Sequence, residues 1–428
     1  MKNRHLLTAA IISATSTLSI HTAHATNGYQ LIGVGAYQKS LAGAVTANPG
    51  SAMTAVSNPA GVARIGNRAD FSMEAFMPDR DINFSGMAGN KAASSASIYG
   101  VPSLGWAAPT SDNSKYYFGG GMYGTSGMGV DYASSKMSGA SPNRYWDGYS
   151  NISFWQMAPV VAWNLDNRLS LGISLNLDYQ SVAFQQRVLS DTNSDGIGET
   201  IVDNFDLSRA ASGFGLGLSM GLLYDINQQW TVGFAYKSKQ SFAPLEYQLA
   251  YADIYNDVGS AGTAGTYKLD LDYPQQAAVG LAFHPNTKMT LSADLKWINW
   301  SDTMNKLAVT GPNGFVRTMD PGWDDQTIFA VGVNYDLNDH VSLRAGYNYA
   351  KSPIDEQDVS KNQILPAIVE SHYTMGAGFN INKYWEINLH YMYVPENTLT
   401  APLTDTQSPG TSISLAETSF GFNIGYRF

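Results

Sequence analysis

Phe420-Gly421-Phe422-Asn423-Ile424-Gly425-Tyr426-Arg427-Phe428 closes the chain. In an extended strand, successive side chains point to opposite faces. Phe420, Phe422, Ile424, Tyr426 and Phe428 then share one face, all apolar or aromatic. Gly421, Asn423, Gly425 and Arg427 share the other, all small or polar. A strand that crosses an outer membrane turns its apolar face to lipid, lines a polar lumen with the other, and carries aromatic residues at the membrane interfaces. The stretch therefore predicts the closing strand of a transmembrane barrel.

The same alternation recurs upstream. In 169–179, Leu169, Leu171, Ile173, Leu175, Leu177 and Tyr179 oppose Ser170, Gly172, Ser174, Asn176 and Asp178. In 214–224, Phe214, Leu216, Leu218, Met220, Leu222 and Tyr224 oppose mainly Gly215, Gly217, Ser219 and Gly221. The pattern returns at 230–236, 289–297, 327–337, 341–349, 373–381 and 385–393. A soluble sandwich also alternates, but rarely sets Gly, Ser and Asn so regularly on one face and Tyr or Trp at the strand ends. Short connections at 225–229, 336–339 and 380–383 read as tight periplasmic turns, and 191–206, 246–266, 351–369 and 395–415 as long external loops. At about 25 residues per strand with its loop, the chain holds roughly a dozen or more strands, even in number.

Composition narrows the compartment. The 428 residues include no cysteine, and their formal charge is −10. The mean hydropathy of −0.17 looks soluble by itself. No stretch reaches the ~18 apolar residues that a membrane-spanning helix needs. Lys2 and Arg4, an apolar region at 6–20 and Ala23-His24-Ala25 together predict a secretory signal peptide over residues 1–25, cleaved after Ala25. Losing Lys2 and Arg4 with no acid takes the formal charge from −10 to −12. So acidic a chain is no nucleic-acid binder, and without cysteines its stability rests on strand pairing rather than disulfides. The histidines outside the leader, His284, His340, His372 and His390, show no metal spacing. No enzyme, no cofactor and no catalytic residue is expected.

Residues 26–70 alternate poorly and are rich in Gly and Ala, with Pro49 and Asn58-Pro59 as punctuation. Short helices are expected at 36–46 and 50–56. Too polar for lipid, the segment is expected to fill the lumen as a hatch, ahead of a barrel over 71–428.

Several short motifs, in order, resemble the FadL family of outer-membrane transporters for long-chain fatty acids and other hydrophobic compounds. They are Gly28-Tyr29-Gln30-Leu31, Ser57-Asn58-Pro59-Ala60-Gly61, Val101-Pro102, Ala108-Pro109, Gly213-Phe214-Gly215, Leu223-Tyr224, Tyr236-Lys237-Ser238, Gly322-Trp323-Asp324-Asp325, Ser352-Pro353 and the terminal Phe428. The resemblance implies an all-β antiparallel barrel of fourteen strands, plugged by a small, mostly helical N-terminal hatch. It implies passive uptake of a hydrophobic compound, long-chain fatty acid first, by binding inside the lumen and lateral release through a kink in the third strand. Import of aromatic hydrocarbons such as toluene is the alternative; a general porin or an adhesive surface fits the hatch less well.

The resemblance also nominates residues. Asn58 and Pro59 match the hatch motif expected to touch the kinked strand, and Gly124 and Gly127 match the kink. Tyr29 matches an aromatic that reaches the lumen site, with a hydroxyl where the family has Phe. Arg187 and Arg317 lie near positions where the family places basic residues, so either could hold a carboxylate. Asp191, Asn193 and Asp195 begin a calcium-like loop, but Val202 stands at its twelfth position, and a hydrophilic external loop is the favoured reading. Partners beyond the substrate are outer-membrane lipid and lipopolysaccharide, and the barrel assembly machinery through Phe428. The resemblance suggests a monomer.

Overall fold

The computed structural model describes residues 26–111, 114–139, 142–256 and 263–428. The leader at 1–25 and part of the 246–266 loop lie outside the described residues. Fourteen antiparallel strands form a closed barrel: β1 (Arg68–Asn83), β2 (Tyr99–Pro109), β3 (Tyr116–Ser138), β4 (Arg144–Met157 and Val160–Asn164), β5 (Leu169–Ser190), β6 (Thr200–Asp225), β7 (Trp230–Lys237), β8 (Gln276–Asn286), β9 (Met289–Ile298), β10 (Gln326–Asn338), β11 (Val341–Ala350), β12 (Ser371–Asn380), β13 (Trp385–Thr400) and β14 (Ser412–Arg427). The last strand returns to the first, in register from Ser412↔Asn83 to Arg427↔Arg68. Closure removes the unpaired edges that lipid could not hydrate.

β14 behaves as its sequence dictates. Phe420, Phe422, Ile424 and Tyr426 are exposed on the outside, while Gly421, Asn423 and Gly425 are buried inside. Phe422 lies beside Phe71 of β1, ring to ring at 6.3 Å, within this outer belt. Phe422→Arg should cost about 2–4 kcal/mol if this belt meets the middle of the bilayer. Urea titration of barrels folded into lipid vesicles reads that cost; an unchanged midpoint would place Phe422 outside the hydrocarbon.

One side chain builds each tight turn. Asn227 Oδ1 accepts from the main-chain N–H of Gln229 and Trp230 at 2.8 and 3.0 Å. Asn338 does the same for His340 and Val341, and Asn382 for Tyr384 and Trp385. Asp166 does it for Arg168 and Leu169. An Asn or Asp three residues before the next strand begins thus satisfies the donors that a reversal leaves free.

Opposite these turns, β3, β5 and β6 are long, 23, 22 and 26 residues. A membrane crossing uses only about 9–11. They rise above the bilayer, where the connections β7–β8 and β9–β10 add a separate four-stranded sheet (Leu245–Leu249, Gly265–Leu269, Leu307–Thr310, Val316–Met319).

The hatch is shorter and less helical than its sequence suggested. It ends before Arg68, where β1 begins, so the barrel starts three residues earlier than expected. Its helices are α1 (Gly35–Ser40) and α2 (Thr54–Ser57), followed by a 3-10 turn over Pro59–Ala63. α1 stops because Ala42 and Gly43 take left-handed φ of 54° and 80°. A Cβ on Gly43 would lie 1.9 Å from the Ile32 carbonyl oxygen. The hatch is tied to the wall by donors that a helix would have consumed. Val45 and Thr46 N–H reach Asp294 Oδ2 at 3.0 and 2.9 Å, and Ala52 N–H reaches Asp70 at 2.7 Å.

Candidate functional site

The hatch begins with a tiny hairpin. Thr26 pairs with Leu31 and Asn27 with Gln30, leaving Gly28 and Tyr29 as the two-residue loop. Gly28 holds φ +67°, the left-handed value that such loops favour at their first position. A Cβ there would also fall 2.6 Å from the Trp300 ring. This hairpin carries Tyr29 into a box of aromatic rings. Tyr29 meets Trp300 at 4.6 Å, Tyr273 at 5.7 Å and Trp323 at 5.9 Å between ring centroids. Phe154 of β4 stacks on Tyr273 at 4.2 Å, and Trp300 meets Trp323 edge-on at 5.3 Å. All five side chains are buried to within 2% exposure.

Polar atoms of the box are pinned to its walls. Trp300 Nε1 donates to Gln326 at 3.0 Å and Trp323 Nε1 to Asn362 at 2.8 Å. The Tyr273 hydroxyl bonds Ser126 at 2.5 Å. Burial pushes the Tyr29 and Tyr273 phenols up, so both stay neutral at ordinary pH. The box therefore presents ring faces and no charge, a surface suited to a hydrophobic ligand. Tyr29 itself fills the middle of it.

Beside the box, β3 leaves the barrel wall. Residues 123–130 are all buried, although the strand alternates elsewhere. Pairing with β2 stops at Ser103↔Tyr123, and beyond the kink Tyr132 bridges to Ser94, ahead of β2. Pairing with β4 shifts between Gly124 and Ser126, leaving Thr125 bulged. In place of β2, the kinked segment bonds the hatch: Gly127 N–H donates to the Tyr29 carbonyl at 2.9 Å, and Ser126 pairs with Gln30. Gly124 lies against β2, where a Cβ would come 3.0 Å from Val101 Cγ1. Val101, Tyr99 and Met128 are buried along this seam, so the wall is closed here.

Gly124, Gly127 and Tyr29 thus come together. Pro59 shares the lining of one cavity with Thr125 of the kink, while the hydrogen bonds of Asn58 among the described residues go to other segments. Asn58 Nδ2 donates to the carbonyls of Thr46 at 2.7 Å and Leu222 at 3.2 Å, and its Oδ1 accepts from Ala60 N–H at 3.1 Å. The motif docks in grooves that glycines leave on two other strands. A Cβ on Gly221 of β6 would lie 2.0 Å from Asn58 Oδ1, and one on Gly172 of β5 2.3 Å from the Pro59 carbonyl carbon.

The arginines lie elsewhere too. Arg187, expected as a candidate to hold a carboxylate, does not face the lumen. β5 buries Gln180, Val182 and Phe184, and Arg187, an odd number of residues on, falls on the opposite face. There it pairs across the strands with Asp147 at 2.5 Å. Arg317 lies in the external sheet, 3.4 Å from Asp203 and over the Phe205 ring at 4.5 Å. It lines an outer cavity of about 200 Å³ with Phe184, Phe205, Met319, Ile364 and Leu365.

Two lumen cations that sequence reading missed are Lys237 and Lys296. They line a cavity of about 60 Å³ against the hatch, with Gln30, Thr125 and Gln276. Lys237 Nζ donates to Gln156 at 2.9 Å. The signal was present in the sequence: a lysine at an inward position of an otherwise small, polar lumen face. Trp300 and Trp323 carried another, as bulky rings in external connections outside any alternating strand.

The calcium-like loop closes on itself. Asp191, Asp195 and Glu199 carboxylates lie within 4.8 Å of one another. Asp191 accepts from the N–H of Asp195 and Gly196, and Asn193 is hydrogen-bonded to Asp195. These are the bonds of a tight external turn.

A closed barrel with an internal hatch, a kinked strand and an apolar interior site defines a class of outer-membrane transport proteins. The chain belongs to the outer membrane protein transport protein family (OMPP1/FadL/TodX), whose model matches residues 14–428. It is 23% identical to outer membrane protein P1 of Haemophilus influenzae over 362 residues, 77% of this chain and 75% of that protein. The toluene transporter TodX of P. putida superposes with a TM-score of 0.72 at 21% identity, covering 92% of this chain and 99% of that one. A FadL homologue of Pseudomonas aeruginosa gives 0.72 at 18%, covering 94% and 100%. The protein is thus an outer-membrane transporter of hydrophobic compounds.

Proposed function

We propose that the chain takes up compact hydrophobic compounds, aromatic hydrocarbons foremost, and releases them sideways into the membrane. The observation that carries this reading is the aromatic box with Tyr29 inside it. Tyr29 stands where a ligand ring would sit, and its main chain is bonded to the β3 kink. A ligand that displaces the Tyr29 ring therefore also loosens the hairpin from Gly127 and Ser126. The seam between β2 and β3 can then part toward lipid. Below the box lies the polar cavity of Lys237, Lys296 and Gln276, where an apolar ligand would strand buried polar groups. Each CH2 kept out of water is worth about 0.8 kcal/mol, so box, then bilayer, is downhill without an energy source.

A second reading, long-chain fatty acids, has one observation in its favour. Arg317 borders the outer cavity, whose walls mix polar residues such as Asp320 and Lys361 with apolar ones, and could hold a carboxylate while the acyl chain lies on Phe205, Ile364 and Leu365. Equilibrium binding of labelled toluene and oleate to the purified barrel separates the two. Saturable toluene binding, lost in Trp300→Ala and untouched by Arg317→Ala, supports the first. Oleate binding abolished by Arg317→Ala, with no toluene binding, overturns it in favour of the second.

A further inference from the structure

Removal of residues 1–25 would make Thr26 the first residue and its nitrogen a free ammonium. We propose that this ammonium is the counter-ion of Glu417, so that cleavage of the leader supplies the charge that fixes the hatch in the lumen. This goes beyond the transport reading, because it concerns how the hatch is held rather than what passes it.

Thr26 is only 3% exposed, although it stands at the expected processed end of the chain. Glu417, on β14, is buried to the same extent. The main-chain nitrogen of Thr26 donates to its carboxylate. The second oxygen, Oε2, makes no hydrogen bond among the described residues. Glu417 takes part in none of the ion pairs formed among the described residues, and the nearby cations are engaged elsewhere. Lys39 Nζ of α1 lies 3.0 Å from Glu74, which His390 Nε2 also approaches at 3.8 Å. Arg80 donates to the Ala96 carbonyl and the Tyr99 hydroxyl. His372, wholly buried, lies against the Thr26 main chain.

A buried carboxylate that is not paired is costly. A peptide N–H offers Glu417 one donor and no net charge. An α-ammonium offers a full charge and further donors, enough to reach Oε2 as well. The processed chain therefore adds a contacting charge to a site that Arg80 and Lys39 influence only through space. Anchoring Thr26 also fixes the hairpin whose loop carries Tyr29 into the aromatic box.

The test uses the mature barrel purified in detergent. Intact mass should show that it begins at Thr26. Labelling with 2-pyridinecarboxaldehyde, selective for α-amines, should be at least about tenfold slower in the folded barrel than in urea, as local opening limits access. Glu417→Gln should bring the folded rate close to the unfolded one and speed amide exchange at Gln30 and Leu31. A Gly-Ser insertion between Ala25 and Thr26 should do the same with every lumen side chain in place, so it decides the matter even if Glu417→Gln fails to fold. A mature chain beginning elsewhere overturns the proposal. So does folded wild-type protein labelled as fast as unfolded, or an insertion that leaves protection and exchange unchanged.

Discussion

Tyr29→Ala should leave the barrel folded but its hatch loose. The ring is buried against Trp300, Tyr273 and Trp323, and removing a fully buried aromatic costs about 3–5 kcal/mol. Nothing in the strand ladder depends on it, so the loss falls on the hairpin. About 3 kcal/mol corresponds to roughly a hundredfold rise in the withdrawn population. Hydrogen exchange should quicken at Gln30, Leu31 and Gly127, whose main chains meet at the kink. Planar-bilayer recordings should show more frequent openings. Exchange at Gly127 that matched wild type would separate Tyr29 from the kink and undo the displacement mechanism.

Gly221→Val should dislodge the hatch from its other anchor. The new Cβ would coincide with Asn58 Oδ1, 2.0 Å away, and crowd Pro59 Cδ at 2.9 Å. Asn58 would surrender its bonds to Thr46, Leu222 and Ala60. Each buried polar group left unmatched costs about 1–3 kcal/mol, so the docking of the 3-10 turn fails as a unit. The barrel should still resist SDS without heating, since Gly221 keeps its ladder partners Gly172 and Ala235. Steady ion conductance and protease access to residues 58–63 are the expected signs. Gly100→Ala, whose Cβ meets nothing within 4 Å, is the control and should change neither. A closed, protease-resistant Gly221→Val barrel would show that the hatch holds without the Asn58 contacts.

The lumen glycines show where sequence reading stops. Their alternation with apolar residues made the strands legible, because lipid on one side and a lumen on the other impose a two-residue period. Their purpose was not legible. Gly172 and Gly221 are the mould for Asn58 and Pro59, and Gly332 and Gly346 fit the main chain of Leu41 and Ala42. A small inward residue reads the same in sequence whether it faces water or a hatch.

The candidate site was legible only in part. Tyr29, Gly124 and Gly127 were named through motifs, and the structure brings them together. The rings around Tyr29 come from segments far apart: Phe154, stacked on Tyr273, from β4, Tyr273 from the connection before β8, Trp300 and Trp323 from that between β9 and β10. No local period links them. Arg187 was misread because β5 buries Val182, Ala183 and Phe184 in succession, which hides the parity of the residues that follow.

By itself, then, the sequence determined the barrel, its turns and the side of each strand that faces lipid. These follow from local alternation and from Asn or Asp side chains bonding the main chain within a few residues. Tertiary structure alone decided the kink at residues 123–130, the docking of Asn58 and the ring box around Tyr29. Those depend on which distant segments closure of the barrel brings within a few ångströms, and on donors that find their acceptors only there.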